Sequence, residues 1–242
     1  MQQFKSKFTD SNYTGTMSNI QSCLRLNDID EIGDGSHLLY FNMIGLFSFR
    51  DWSVEKTIDY WMTFLNTINI IPDYVTIHPN KTDWGDFYKN YNVEVRIDEN
   101  CEWSDGQIGG YCTEFYKSGI EIGNIVNPLG TCIDVGFGLE RLEMILYGMQ
   151  KTKEETLRDT VLKIINSGIK PAHNKQGYIL KKLLRLCNKY DIQIEHQLYY
   201  DELDRQERML IKYDRLKNRF KDRSNQWWWE THGIDVNYPP TA

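Results

Sequence analysis

The sequence predicts an α+β fold, a mainly antiparallel β-sheet flanked by helices and followed by a helical appendage. Two observations carry this. Between residues 74 and 136, short β-branched and aromatic runs succeed one another across gaps too brief for crossover helices, so neighbouring strands must run antiparallel. From residue 155 onward the texture changes to apolar residues at helical spacing. The expected division is a sheet domain over 1–150 and a helical domain over 151–242.

In chain order, "LLYFNMIGLFSF" (38–49) is too apolar for a surface segment and reads as buried strand. Ser53 can cap a helix in which Ile58, Trp61, Met62, Leu65 and Ile68 recur at helical spacing, and Pro72 ends it. Strands are expected at "YVTIH" (74–78), "YNVEVRID" (91–98), "CTEFY" (112–116), "IEIGNIV" (120–126) and "TCIDVG" (131–136). Farther on, "KQGYILKKLLRLCNKY" sets Ile179, Leu180, Leu183, Leu184 and Cys187 on one helix face. Lys181, Lys182, Arg185 and Lys189 lie on the other. A second helix, "YDELDRQERMLIKYDRLKNRF", has Asp201–Arg205 and Asp204–Arg208 at i,i+4. "NQWWWETHG" sets Trp227, Trp228 and Trp229 in a row, and three consecutive tryptophans cannot all face one core.

Composition narrows the function classes. A 40% hydrophobic, 26% charged chain can bury an ordinary core. The net charge of −6 means that a nucleic acid would have to meet a local basic patch. The stretch from Lys163 to Tyr190, basic with no acidic residue, is the candidate; a solvated helix face explains it equally well. No apolar run is long enough to cross a membrane and the N-terminus lacks a secretory pattern, so a cytoplasmic protein is expected. The five cysteines include no C-x-x-C pair and the five histidines no H-x-x-x-H, so neither a disulfide framework nor a zinc site is expected.

The most informative stretch is "CIDVGFGLERLEMIL" (132–146), where Gly136 and Gly138 open the backbone at a strand-to-helix junction. A dinucleotide fingerprint would need a further glycine where Arg141 stands, and the Gly-Lys-Ser/Thr of a P-loop occurs nowhere. A glycine turn feeding a core helix is the plain reading. Its company argues for more. Arg141 in the first helical turn opposes the helix dipole, and an anionic ligand would give it a reason to be there.

"IDVGFGLERL" resembles the third signature motif of class II aminoacyl-tRNA synthetases, in particular the Asp-Thr-Gly-Met-Gly-Leu-Glu-Arg of alanyl-tRNA synthetases. Other segments are similar in the family's order: "CLRLNDIDEIG" (23–33), "YFNMIGLFSFRDW" (40–52), "YCTEFY", "IEIGNIV", "GIKPAHNKQGYILKKLLR" and "ETHGIDV". The resemblance implies that an amino-acid carboxylate is joined to the α-phosphate of ATP with release of pyrophosphate, and the aminoacyl group then passed to an acceptor. Such chemistry needs positioning and charge neutralisation more than a covalent protein group.

Residue by residue, the resemblance implies catalytic roles for Arg25 and Arg141, and ATP binding by these two with Asp28, His37, Met43, Phe47, Gly138 and Glu140. Phe47 would stack on adenine; by residue type alone it is a core aromatic. Trp103, Asn124, Val126, Asp134 and Gly136 would hold the amino acid, with Asp134 accepting its ammonium. A pocket of that composition suits alanine first, then serine or glycine. Lys175, Lys181, Lys182 and Arg185 would meet the acceptor. ATP and, with it, Mg2+ are the implied cofactors, and zinc is not implied.

The sequence also departs from the family. Asn42 replaces a glutamate, Leu38 a histidine, Gly123 a tryptophan, Lys175 an asparagine and Leu186 an arginine, and the loop after Arg25 is shorter. The start falls in the middle of motif 1, and the editing domain and C-terminal module have no counterpart in the sequence. These changes spare the adenylation set and fall on the acceptor side. A tRNA or acceptor-stem mimic, a carrier protein and a small-molecule amine therefore all stay open as acceptors, beside a non-catalytic paralogue that binds RNA or a protein.

Overall fold

The computed structural model describes residues 4–27, 29–232, 234 and 236, the side chains of residues 229 and 230 excepted. The chain forms two compact units, residues 1–27 with 40–150, and residues 28–39 with 151–242.

The first unit is built on an eight-stranded sheet of order β1-β2-β8-β7-β6-β3-β4, with β5 paired to β6. Its strands are β1 (Gly15–Leu24), β2 (Tyr40–Phe49), β3 (Tyr74–Ile77), β4 (Glu94–Ile97), β5 (Glu102–Ser104), β6 (Gly109–Lys117), β7 (Ile120–Val126) and β8 (Cys132–Gly138). Every pairing is antiparallel except β3 with β4, which are joined through a 3-10 segment, Pro79–Tyr88. β1 and β5 were not legible from sequence. β1 alternates half-buried and exposed positions, so it has no apolar run to announce it.

Helix α1 (Lys5–Thr9) packs Phe8 against Phe49. Helix α2 (Val54–Thr67) begins as expected, with the Ser53 hydroxyl accepting from the Lys56 amide at 3.1 Å. Its apolar stripe, Ile58, Trp61, Met62 and Leu65, lies against Leu46, Phe115, Ile125, Val135 and Phe137 from four strands of one sheet face. Burying each such side chain stabilises the fold by about 1.5–3 kcal/mol. Trp61 stacks flat on Phe137 at 4.5 Å. A Cβ at Gly123 would lie 2.3 Å from the Phe137 ring, so that ring takes the space a side chain at 123 would need. Gly123 and Phe137 stand where the resembled family carries tryptophan and methionine.

The second unit holds α4 (Lys153–Asn166), α5 (Lys175–Lys189), α6 (Gln197–Leu216) and α7 (Asn225–His232). Thr152 and Glu155 form a reciprocal capping box on α4. α5 packs against both α4 and α6, so more than its apolar stripe is covered. This corrects the reading of a solvated basic face. Lys181 and Arg185 are buried, whereas Lys175, Lys182 and Lys189 remain exposed. Arg185 Nε donates to Glu202 of α6 at 2.9 Å, and Arg205 and Gln206 donate to the same carboxylate at 2.7 and 2.8 Å. Burial alone would raise the Glu202 carboxyl; the Arg205 and Arg185 guanidinium groups overcome it and hold it below the usual range. Burial, with the Arg205 and Arg185 cations beside it, pulls the Lys181 ammonium down to about 8. Of the two expected i,i+4 pairs, Arg208–Asp204 forms at 2.9 Å, while Arg205 turns to Glu202 instead. Trp228 is buried, edge-on to Tyr213, and Trp227 packs against Phe220. No helix among the described residues is long and apolar enough to cross a membrane.

Glu202→Ala should lower stability by about 3–5 kcal/mol in denaturant unfolding, because it removes the buried carboxylate that Arg185, Arg205 and Gln206 share. Gly123→Ala should cost about 1–3 kcal/mol from overpacking. Adding Phe137→Met should recover most of that loss, a coupling that a double-mutant cycle measures.

Candidate active site

Helix α2 covers one face of the sheet; the candidate site is on the other. Strand β8 alternates Ile133, Val135 and Phe137 into the core with Asp134, Gly136 and Gly138 on the opposite side. Residues paired across antiparallel strands share a face. Asp134 pairs with Phe47 and Val126, Gly136 with Gly45 and Asn124, and Gly138 with Met43. Seven of the residues singled out from sequence therefore lie on one surface.

Close approach decides the glycines. A Cβ at Gly136 would come within 2.4 Å of the Met43 terminal methyl and 3.9 Å of Asn124 Oδ1, so these two side chains converge over bare backbone. Burial pushes the half-buried Asp134 carboxyl up to about 6. Trp103, on β5, packs against Cys101, Cys112 and Val126, which makes it a wall at the Val126 end of the same face.

At the far end of β8 the chain enters α3 (Leu139–Tyr147) through Gly138, and the stem of Arg141 lies against that glycine in ordinary contact. Asp134 and Gly138 are about 13 Å apart along the strand. Arg141 Nη1 donates to the Glu121 carbonyl at 2.6 Å and lies 3.6 Å from the Glu121 carboxylate. Asn124 Nδ2 reaches that carboxylate from the other side at 3.4 Å. This explains how an arginine is tolerated in the first helical turn: the charge is carried off the helix end to β7. Glu140, which suits that end electrostatically, accepts from the Asn42 amide at 2.8 Å and the Asn42 side chain at 2.9 Å. A glutamate at 42 could not make the second bond and would repel Glu140. Arg25 is exposed just past β1, whose last pairing is Leu24 with Tyr40, so it stands at the same sheet end as Gly138.

One expectation comes out differently, one residue belongs to the other unit, and one lies outside the described residues. Phe47 is fully buried with Phe4 against its ring at 4.8 Å, because the N-terminal segment covers it; it is a core aromatic rather than an open platform for a base. His37 belongs to the second unit, where its ring nitrogens pair with Asp34 at 2.6 Å and Glu31 at 3.2 Å. Asp28 lies outside the described residues.

Sequence reasoning passed over Glu121 and Glu114. Glu121 lies inside the "IEIGNIV" stretch, three residues before Asn124. Glu114 pairs with Asn124 across β6 and β7, and burial, with the Glu121 and Asp98 charges, raises its carboxyl. In sum, the face offers a carboxylate and an amide, with the Met43 methyl over Gly136, and guanidinium groups toward its other end.

A family model described as tRNA synthetases class II (A) matches residues 1–166. The alanine–tRNA ligase of Tropheryma whipplei (strain Twist) is 28% identical over 237 aligned positions, covering 69% of this chain and 27% of that protein. The alanine–tRNA ligase of Chlamydia trachomatis serovar L2 is 27% identical over 271 positions, covering 78% and 31%. The chain thus spans less than a third of the length of these relatives. Apo histidyl-tRNA synthetase of S. aureus is similar over 77% of this chain and 65% of its own, at 11% identity and a TM-score of 0.41. With the family model covering more than half of its length, the chain belongs to the class II (A) tRNA synthetases.

Proposed function

We propose that this protein activates a small amino acid, alanine first, as an aminoacyl-adenylate and passes it to an acceptor. The observation that carries this is the placement of Asp134 and Arg141 at the two ends of one strand face, with Met43 and Asn124 closing over Gly136 between them. Asp134 anchors the substrate ammonium by a charge-assisted bond. Met43, whose terminal methyl lies over Gly136, together with Val126 and Trp103, limits the substrate to a small side chain. Against serine or glycine it discriminates by only about 1–3 kcal/mol. The amino-acid carboxylate then points toward the Gly138 end, where Arg141 and Arg25 steady the α-phosphate during in-line attack and pyrophosphate departure. Glu121, its side chain 34% exposed beside Arg141, is an oxygen donor of the kind magnesium accepts, and the ion would neutralise phosphate charge when it arrives with the nucleotide.

For the acceptor, similarity to alanine–tRNA ligases favours a tRNA or a piece of one. A second reading, transfer to a carrier protein or a small-molecule amine, is favoured by the burial of Lys181 and Arg185, two of the four groups expected to grip RNA. Lys175 and Lys182 are exposed and decide between them. In the tRNA reading, charge reversal at both weakens a salt-dependent RNA affinity; in the other no such affinity exists.

A pyrophosphate-exchange screen over the twenty amino acids, with and without total tRNA, tests the reading, and no amino-acid-dependent exchange would refute adenylation. Asp134→Asn should lower exchange about a hundredfold or more while leaving ATP affinity within a few-fold. Because the ionised form of Asp134 is needed and its carboxyl titrates at about 6, KM for the amino acid should rise about tenfold per pH unit below that value. The same raised value makes the native state bind the extra proton, so the Asp134 contribution to stability falls as pH rises from the usual carboxylate range to about 6.

A further inference from the structure

Beside the candidate active site, β5 and β6 bring together three side chains that the sequence gives no reason to associate. The Cys101 and Cys112 sulfurs and a Glu114 carboxylate oxygen all lie within 4.8 Å of one another. Both cysteines are buried. They are unlike Cys132, which lies in an aromatic cluster with Phe8, Phe47 and Phe49. The Cys101 sulfur contacts the Thr76 hydroxyl at 2.8 Å, and Cys112 faces a Glu114 oxygen at 3.8 Å. The second Glu114 oxygen accepts from Tyr116 at 2.8 Å and from Thr76 at 3.4 Å. Glu121 and Asp98 add their negative charge to Glu114.

We infer that Cys101, Cys112 and Glu114 form a binding site for a thiophilic divalent cation of the zinc class. Two buried sulfurs and a half-buried carboxylate oxygen are donors such an ion prefers, and three protein donors leave one tetrahedral position for water. On binding, the two thiols lose their protons to solvent and the ion takes both thiolates, which leaves no oxidation state changed. Thr76 and Tyr116 supply the outer hydrogen bonds that orient sulfur and carboxylate. The physical consequence is a clip. β5 is only Glu102–Ser104, paired to β6 alone, and it carries Trp103. An ion held by Cys101 at its start and by Cys112 and Glu114 on β6 fastens that wall to the sheet. The absence of a C-x-x-C pair, which led the sequence reading away from zinc, does not bear on donors that cross-strand pairing assembles.

The site is independent of the adenylation reading and is tested without it. The purified protein, kept reduced with a phosphine, is titrated with Zn2+ and, separately, with Co2+. About one equivalent of either should bind, with a thiolate-to-cobalt charge-transfer band and release of about two protons per ion. Cys101→Ser with Cys112→Ser should abolish binding, and Glu114→Gln, close in shape and safer for folding, should lose most of it. Thr76→Val should weaken it about tenfold to a hundredfold, while Cys23→Ser leaves it unchanged. The inference is overturned if reduced wild-type protein binds neither ion, if the double cysteine variant still binds, or if mass spectrometry finds Cys101 and Cys112 joined as a disulfide in the protein as purified.

Discussion

The two-sided pleat of β8 is the constraint on which the rest depends. Along that strand every second side chain enters the core against α2, and every other faces the candidate site. A slip of one residue would put Asp134 among Trp61 and Phe115 and expel Phe137. Core packing and site chemistry are therefore one requirement, because the energy that seats Ile133, Val135 and Phe137 also fixes the register of Asp134, Gly136 and Gly138.

Space is the second currency of the design, and it is allotted differently on the two faces. On the core side, Phe137 fills the room above Gly123 and stacks on Trp61, so a family position of large volume is emptied and its neighbour enlarged. On the site side, Gly136 stays bare under Met43, whose terminal methyl takes the place of a side chain at 136 beside Asn124. The same residue type thus makes room for a phenylalanine ring on one face and for a methionine methyl on the other. Polar substitutions follow a similar logic: Asn42 gives Glu140 two donors where a second carboxylate would repel it.

The helical unit shows why charge is hard to place from sequence. Helical spacing put Lys181 and Arg185 opposite the leucine stripe, which is correct for an isolated amphipathic helix. α5 is covered on two sides, by α4 and by α6, and Glu202 from α6 supplies the counter-charge that lets Arg185 stay buried. A pair of that kind contributes less to net stability than hydrophobic packing would, but losing either member is costly.

The sequence by itself determined the α+β class, most strands and helices, the Ser53 cap, and the motif order that marked Asp134, Gly136, Asn124 and Arg141. The class, elements and cap follow from local periodicity and residue types at fixed spacing, which a single backbone segment expresses without help; the motif order rests on the resemblance to the class II synthetases. Tertiary structure alone decided that β4 runs parallel to β3, that β1 and β5 are strands at all, that Phe47 is sealed by Phe4, and that Cys101 and Cys112 meet at Glu114. Each of these depends on register and packing between segments remote along the chain, and no spacing within one segment encodes which partner will cover it.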